Sequence, residues 1–157
     1  MGIFLLFIII FCWISFDRMY NRVWSDQKIY CHFWLKHDPQ MQNSIYRYLA
    51  LPYEWEGDYE SARKYLRLSL SGTLSDAGVY NNLGFCDQSS GMYTEAEYDY
   101  KKALTIDPYS IYAYIGLGNI YLKQGQKVKA RQDFEEALTL NPHLEVAKWG
   151  LEKLDKN

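Results

Sequence analysis

The stretch YAYIGLGNIYLKQGQKVKARQDFEEALTLNP, residues 112–142, has the pattern of two amphipathic helices joined by a tight turn. Its apolar residues recur at spacings of three and four on both sides of Gly125, as on the buried face of a helix. A glycine between two such runs can adopt the left-handed conformation that ends a helix. We therefore predict one helix over residues 111–124 and a second over residues 127–140.

Gly118 lies in the middle of the first predicted helix, where a glycine costs about 1 kcal/mol relative to alanine. The residues 34 and 68 positions earlier, Gly84 and Ala50, are also small. A small side chain allows another helix to approach closely. The column therefore predicts a close helix crossing that recurs along the chain.

The period of 34 residues extends to seven columns, which keep their register through three copies without an insertion. Six of the columns hold one type of residue (aromatic, leucine, small or turn glycine), and the seventh holds large apolar or aromatic residues. The columns are Tyr46/Tyr80/Tyr114, Leu49/Leu83/Leu117, Ala50/Gly84/Gly118, Gly57/Gly91/Gly125, Ala62/Ala96/Ala130, Leu66/Tyr100/Phe134 and Leu70/Leu104/Leu138. Periods of this size are typical of stacked helical hairpins, in which neighbouring repeats bury each other's apolar faces. The fold class is therefore predicted to be all-α.

These columns resemble the tetratricopeptide repeat (TPR), whose signature is an aromatic, Leu-Gly, Tyr, Ala, Phe and Pro. The last copy fills every signature position with an accepted residue: Tyr114, Leu117, Gly118, Tyr121, Ala130, Phe134, Ala137 and Pro142. The resemblance covers residues 43–142. It implies a right-handed α-solenoid of three helix-turn-helix repeats, at residues 43–76, 77–110 and 111–142.

Two segments flank the repeats. Residues 143–157 have apolar residues at helical spacing and charged residues between them, which predicts a C-terminal capping helix whose end is frayed by Gly150. Residues 17–42 form a juxtamembrane segment. Within it, the dipeptides Trp34-Leu35 and Asp38-Pro39 are spaced like Ala103-Leu104 and Asp107-Pro108. This spacing predicts the second helix of a degenerate repeat, packed on the first full repeat.

The N-terminal sequence GIFLLFIIIFCWISF, residues 2–16, contains no charged side chain. As a helix it would be about 22 Å long, shorter than the hydrocarbon core of about 30 Å. A cleaved signal peptide and a buried core helix are alternatives. Uniform apolarity without a polar face favours lipid over a globular surface, so residues 1–16 are predicted to be a transmembrane or anchor helix.

No basic residue precedes this apolar run. Four follow it: Arg18, Arg22, Lys28 and Lys36. Basic residues are enriched on the cytoplasmic side of membrane segments. We therefore expect a single-pass membrane protein whose repeats lie on the cytoplasmic side.

Composition excludes several classes of function. The net charge of −2 provides no basic surface for nucleic acid, and three cysteines are too few for a disulfide framework. Cys31, His32 and His37 do not have the spacing of a metal motif, and no phosphate-binding loop or catalytic constellation is recognisable. We expect no enzyme activity, cofactor, metal or small-molecule substrate.

The resemblance implies that the first helix of each repeat lines a concave groove. In this chain the groove positions combine aromatic and apolar side chains with amides, which suits a bound peptide or helix. The predicted protein-binding residues are Arg47, Tyr48, Leu51, Trp55, Asn81, Asn82, Phe85, Tyr112, Ile115 and Asn119. Trp55, Phe85 and Tyr112 come from successive repeats, so that one ligand is expected to touch all three. Alternatively, the N-terminal segment of the chain covers some of these side chains.

TPR co-chaperones bind a C-terminal carboxylate with two lysines, two asparagines and an arginine. The resemblance places Arg47, Leu51, Asn82, Tyr112 and Gly116 at these five positions, and only Arg47 and Asn82 are compatible with that role. We therefore expect no binding to the C-terminal tails of heat-shock chaperones.

Two residues depart from the repeat pattern. Asp87 occupies the column of Tyr53 and Tyr121. Because a buried carboxylate is costly without a partner, we expect it to lie at a solvated rim, with a polar contact to a protein partner or to a neighbouring hydroxyl as the alternative. Pro52 lies inside a predicted helix, where proline removes a backbone hydrogen bond and tends to kink the helix.

Together these features favour a membrane-anchored scaffold or assembly factor that binds a protein partner through the repeat groove. A constitutive small structural subunit of a membrane protein complex is the alternative. A soluble secretion chaperone is a third class, which the apolar N-terminus argues against.

Overall fold

A computed structural model describes residues 26–70 and 76–156 of the chain. The predicted anchor, residues 1–16, and the first part of the juxtamembrane segment lie outside the described residues. Within the described ranges, no helix combines the length and apolarity needed to cross a membrane.

The described residues form eight α-helices, one short 3-10 helix (Pro39–Met41) and no strand. The helices are α1 (Gln27–His37), α2 (Gln42–Glu56), α3 (Tyr59–Ser69), α4 (Ala77–Ser89), α5 (Tyr93–Ile106), α6 (Ile111–Lys123), α7 (Lys127–Leu140) and α8 (Glu145–Lys156). Three hairpins, α2/α3, α4/α5 and α6/α7, stack in chain order, with α1 before and α8 after them. We call α2, α4 and α6 the inner helices and α3, α5 and α7 the outer helices. The predicted all-helical TPR solenoid is confirmed.

The hairpin turns repeat one backbone geometry. Gly57, Gly91 and Gly125 have φ angles of 76°, 79° and 73°, the left-handed region that glycine enters at little cost. In the last turn, the N–H of Gln126 donates to the carbonyl of Tyr121 at 2.8 Å, which closes the end of α6. The glycine turns predicted from the period are therefore confirmed.

The close approach at Gly118 is between an inner-helix backbone and an aromatic ring on the paired outer helix. A Cβ atom at Gly118 would lie 2.7 Å from the ring of Phe134, and one at Gly150 would lie 2.5 Å from the other side of that ring. Phe134 is fully buried. α8 continues through Gly150 to Lys156, and Gly150 provides space for the Phe134 ring; fraying of the helix end stays a prediction.

The preceding repeat uses the same arrangement around Tyr100. A Cβ atom would lie 2.8 Å from this ring at Gly84 and 2.2 Å at Gly116. Each ring thus lies between the glycines 16 residues before and after it. In the first repeat the corresponding positions are Ala50, Leu66 and Asn82. The central Leu66 is smaller than Tyr100 or Phe134, and the two flanking residues are larger than glycine.

Asp87 is fully buried and pairs with Arg63 of α3, with Nη1 of Arg63 2.8 Å from Oδ1 of Asp87. The expectation of a solvated rim position is therefore wrong, and the polar contact is made to a guanidinium of this chain instead of to a partner or a neighbouring hydroxyl. Burial raises the pKa of the Asp87 carboxyl, and the Arg63 guanidinium opposes this rise. The carboxylate tolerates burial because its partner is a nearby cation.

The Arg63–Asp87 pair belongs to a periodic contact between each outer helix and the next helix in line. One repeat later, the Tyr121 hydroxyl donates to Glu97 at 2.8 Å. A further repeat on, Arg131 pairs with Asp155 of α8. The partners are always 24 residues apart, so the contact is set by how the hairpins stack.

At the N-terminal end, α1 packs on α2, where Cys31, Ile45 and Leu49 form a buried cluster. Asp26 begins α1, because its carboxylate accepts a hydrogen bond from the N–H of Lys28 at 2.9 Å. α2 continues as a helix through Pro52 and ends at Gly57.

Candidate protein-binding groove

A groove of about 510 Å³ runs across the inner helices of the second and third repeats and reaches the end of α2. Its lining is aromatic, apolar and amide in character. The lining residues are Glu54, Gly78, Asn81, Asn82, Phe85, Gln88, Tyr100, Tyr112, Ile115, Gly116 and Asn119. Six of the ten predicted binding residues are therefore brought together here: Asn81, Asn82, Phe85, Tyr112, Ile115 and Asn119.

Two aromatic side chains of the groove are open to solvent. Phe85 is 47% exposed and Tyr112 is 77% exposed. The ring of Phe85 also makes an edge contact with Tyr59 of the preceding hairpin, with centroids 6.0 Å apart. Exposed aromatic side chains that share one concave surface are typical anchors for a protein ligand.

The other four predicted residues do not line this groove. Tyr48 lines a separate cavity of about 420 Å³ between α1 and α2. Trp55 is 79% exposed, but it is not among the residues that line the groove. The structure thus places Phe85 and Tyr112 on one surface, whereas Trp55, Arg47 and Leu51 lie outside its lining.

Arg47 and Asn81 also connect successive repeats. The guanidinium of Arg47 pairs with the Asp76 carboxylate at 2.6 Å, and Asp76 caps the start of α4. One repeat later, Nδ2 of Asn81 donates to the hydroxyl of Ser110 at 2.8 Å, and Ser110 precedes α6. A side chain at this groove position therefore holds the start of the next inner helix.

The groove continues onto α8. A second section of about 240 Å³ shares Gln88 and Asn119 with the first. It is otherwise lined by Leu122, Lys123, Trp149 and Lys153. Sequence reasoning treated α8 only as a cap and missed Trp149, which is 58% exposed. A signal was present, since Trp149 lies 34 residues after the predicted groove residue Ile115.

The two ends of the groove differ in charge. Glu54 lies at the α2 end, and burial raises the pKa of its carboxyl. Lys123 and Lys153 lie at the α8 end. The ammonium of Lys123 donates to the Tyr93 hydroxyl at 3.2 Å, and that of Lys153 lies 4.9 Å from the centre of the Trp149 ring.

Two acceptor atoms of the groove residues are buried without a hydrogen-bond donor in the described part of the chain. They are Oε1 of Glu54 and Oδ1 of Asn81. Buried acceptors without donors are uncommon in folded proteins.

Residues 26–70 and 76–156 contain no candidate metal-binding cluster. No cluster of three or more His, Cys, Asp or Glu side chains in these ranges is arranged to hold an ion. Cys31 and Cys86 are buried free thiols, and burial raises the pKa of both.

Comparison with known proteins supports the assignment of TPR repeats to this chain. A family model described as "Tetratricopeptide repeat" matches residues 111–144, and one described as "TPR repeat" matches residues 89–125. TPR repeats are therefore confirmed in this chain. No curated protein matches the sequence.

Solved structures share the fold. The second TPR domain of human RPAP3, in complex with the HSP70 peptide SGPTIEEVD, is 27% identical, with a TM-score of 0.70 over 76% of this chain and 99% of that one. The TPR domain of Arabidopsis OM64 is 22% identical, with a TM-score of 0.70 over 73% and 95%. The Yersinia enterocolitica secretion chaperone SycD, in complex with a peptide of the translocator YopD, is 20% identical, with a TM-score of 0.67 over 72% and 92%.

Proposed function

We propose that this protein is a membrane-anchored TPR scaffold or assembly factor that binds a protein partner through its concave groove and is not an enzyme. The observation that carries the proposal is the continuous groove with exposed Phe85, Tyr112 and Trp149 along it. Two similar structures contain bound peptides, which supports a peptide-like ligand. The apolar sequence of residues 2–16 supports the anchor.

Site-specific photo-cross-linking in native membranes tests the groove as the binding surface. A photoreactive amino acid at position 112 should cross-link to a partner protein, because Tyr112 lies in the groove and is 77% exposed. The control position is 98, since Tyr98 is 60% exposed on the outer helix α5 and does not line the groove. Equal cross-linking from both positions would contradict a groove-specific partner. A partner that remains at fixed stoichiometry through every purification step would instead identify a constitutive subunit.

The double substitution Phe85→Ala and Tyr112→Ala should weaken capture of that cross-linked partner by about 30-fold or more, since truncating buried interface aromatics often costs about 2 kcal/mol or more of binding. Both side chains lie outside the buried core, so thermal melting should stay close to that of the wild type. Quantitative co-purification from detergent measures the loss. Tyr98→Ala with Tyr109→Ala is the matched control, because these tyrosines are exposed and do not line the groove. Unchanged capture by the Phe85→Ala, Tyr112→Ala variant would show that the binding surface lies outside the groove.

Membrane topology is tested by protease protection. We expect the repeats to be protected in sealed right-side-out vesicles, because basic residues follow the apolar run and favour the cytoplasmic side. Detergent should then make them accessible to the protease. Digestion in intact right-side-out vesicles would reverse the proposed orientation, and recovery of the chain in the soluble fraction would contradict the anchor.

A further inference from the structure

The groove carries charge of opposite sign at its two ends, and this arrangement selects a class of ligand. Its two sections are lined by three charged side chains: Glu54 on α2, Lys123 on α6 and Lys153 on α8. Between them the lining is aromatic, apolar and amide. The sections are continuous through Gln88 and Asn119.

We propose that the groove binds an extended peptide segment with a basic side chain at Glu54, an apolar centre at Phe85 and Tyr112, and an acidic side chain at Lys123 and Lys153. This inference rests on the proposed function and specifies the chemistry of its partner. It follows from charge complementarity, which gives specificity across an interface.

The position of Glu54 strengthens the assignment at the basic end. One carboxylate oxygen of Glu54 is buried and has no donor among the described residues. Glu54 as a whole is partly exposed and lines the groove, and its carboxylate attracts a cation placed there. Lys28 of α1 pairs with Glu56.

The spacing of the two charges in the ligand follows from the helix packing. Taking about 9 Å per step, the usual distance between neighbouring helices, three steps from α2 through α4 and α6 to α8 cover about 27 Å. An extended chain rises about 3.3 Å per residue. The basic and acidic residues of the ligand should therefore lie about eight positions apart when the acid reaches Lys153, and about six apart when it reaches Lys123.

Defined peptides test the proposal with the full chain in detergent or nanodiscs. Four nine-residue peptides share the centre Ser-Leu-Ala-Phe-Ala-Leu-Ser and carry blocked termini. Their end residues are Arg and Glu, Glu and Arg, two Arg, or two Glu. Fluorescence anisotropy should show that one of the two mixed-charge peptides binds at least tenfold more tightly than both like-charged peptides. Both mixed-charge peptides are included because a peptide can lie along the groove in either of two chain directions.

Charge variants locate each end. Glu54→Gln should remove the preference for the Arg end, so that the two-Glu peptide binds as well as the mixed peptide. Lys123→Gln with Lys153→Gln should remove the preference for the Glu end. Glu60→Gln and Lys102→Gln are the controls and should change nothing, since both residues are exposed and do not line the groove.

Equal affinity for all four peptides, or no binding of any of them, would overturn the proposal. In either case, loss of native partner capture in the Phe85→Ala, Tyr112→Ala variant would leave the proposed function standing. A preference for a like-charged peptide would also overturn it, and would assign the opposite chemistry to one end of the groove.

Discussion

Gly118→Leu is expected to lower the free energy of unfolding by about 3 kcal/mol, the upper part of the usual cost of overpacking. Even a Cβ atom at this position would lie 2.7 Å from the Phe134 ring. Phe134 cannot move away, because Gly150 of α8 meets its other face. Urea denaturation followed by circular dichroism measures the loss. Tyr112→Leu on the same helix is the control and should be nearly neutral, since Tyr112 is exposed.

A double-mutant cycle separates this steric effect from a general loss of helix stability. The first repeat combines Ala50 with Leu66 at the positions of Gly118 and Phe134. Gly118→Ala should therefore cost at least about 1 kcal/mol less in a Phe134→Leu background than in the wild type, the range of coupling seen for residues in contact. Additive effects, or wild-type-like melting of Gly118→Leu, would contradict the packing argument.

Arg63→Met is expected to lower the free energy of unfolding by about 3 kcal/mol at pH 8, because it leaves a buried charge without its partner. Asp87 is fully buried, and methionine keeps the length of the side chain without its charge. The control is Arg131→Met at the equivalent position. Its partner Asp155 is exposed, so that loss should stay below about 1 kcal/mol. Equal losses for the two variants would contradict the role of burial.

The cost of Arg63→Met should shrink at pH 5, because Asp87 and Asp99 can take up protons. Burial, and then the neighbouring Asp87 carboxylate, raises the pKa of Asp99 to about 7, while Arg67 opposes the rise and Glu95 adds to it. In the unfolded chain an aspartate has a pKa of about 3.9. Between these values the folded state binds more protons, so stability falls as the pH rises.

The wild-type protein should therefore melt at a higher temperature at pH 5 than at pH 8. Burial also raises the pKa of Asp133, to about 6. This carboxyl therefore also lowers the stability of the folded state as the pH rises. Asp99→Asn should reduce the difference between the two pH values by removing one of these groups. A melting temperature that rises from pH 5 to pH 8 would show that the buried carboxyls do not govern stability in this window.

Local chain chemistry accounts for what the sequence predicted well. The positions of the hairpins followed from helical periodicity and from three glycines that only have to adopt a left-handed φ, and both are properties of neighbouring residues. The 34-residue register then placed most of the groove, because equivalent residues of identical hairpins point in equivalent directions. Phe85, Asn82 and Tyr112 were found in this way.

The wrong sequence predictions concern contacts between residues at different positions of the 34-residue repeat. Asp87 looked costly because its own column offered only tyrosines, whereas its partner Arg63 lies 24 residues earlier on another helix. The sequence also did not show that Phe134 needs the space at Gly150. Trp55 and Ser89 do not line the groove, whereas Lys123 of the same column does, so the 34-residue register alone does not decide which residues form the lining.

The sequence by itself determined the repeat architecture, the turn positions and the mainly uncharged character of the groove, since these depend on residue type and spacing along the chain. Only the tertiary structure decided which buried charges are paired, which glycines enclose an aromatic ring and how far the groove extends over α8. These features depend on the distance and rotation between stacked helices. Side-chain volumes are matched at these contacts: glycines adjoin the rings of Tyr100 and Phe134, whereas Ala50 and Asn82 hold the corresponding positions around Leu66.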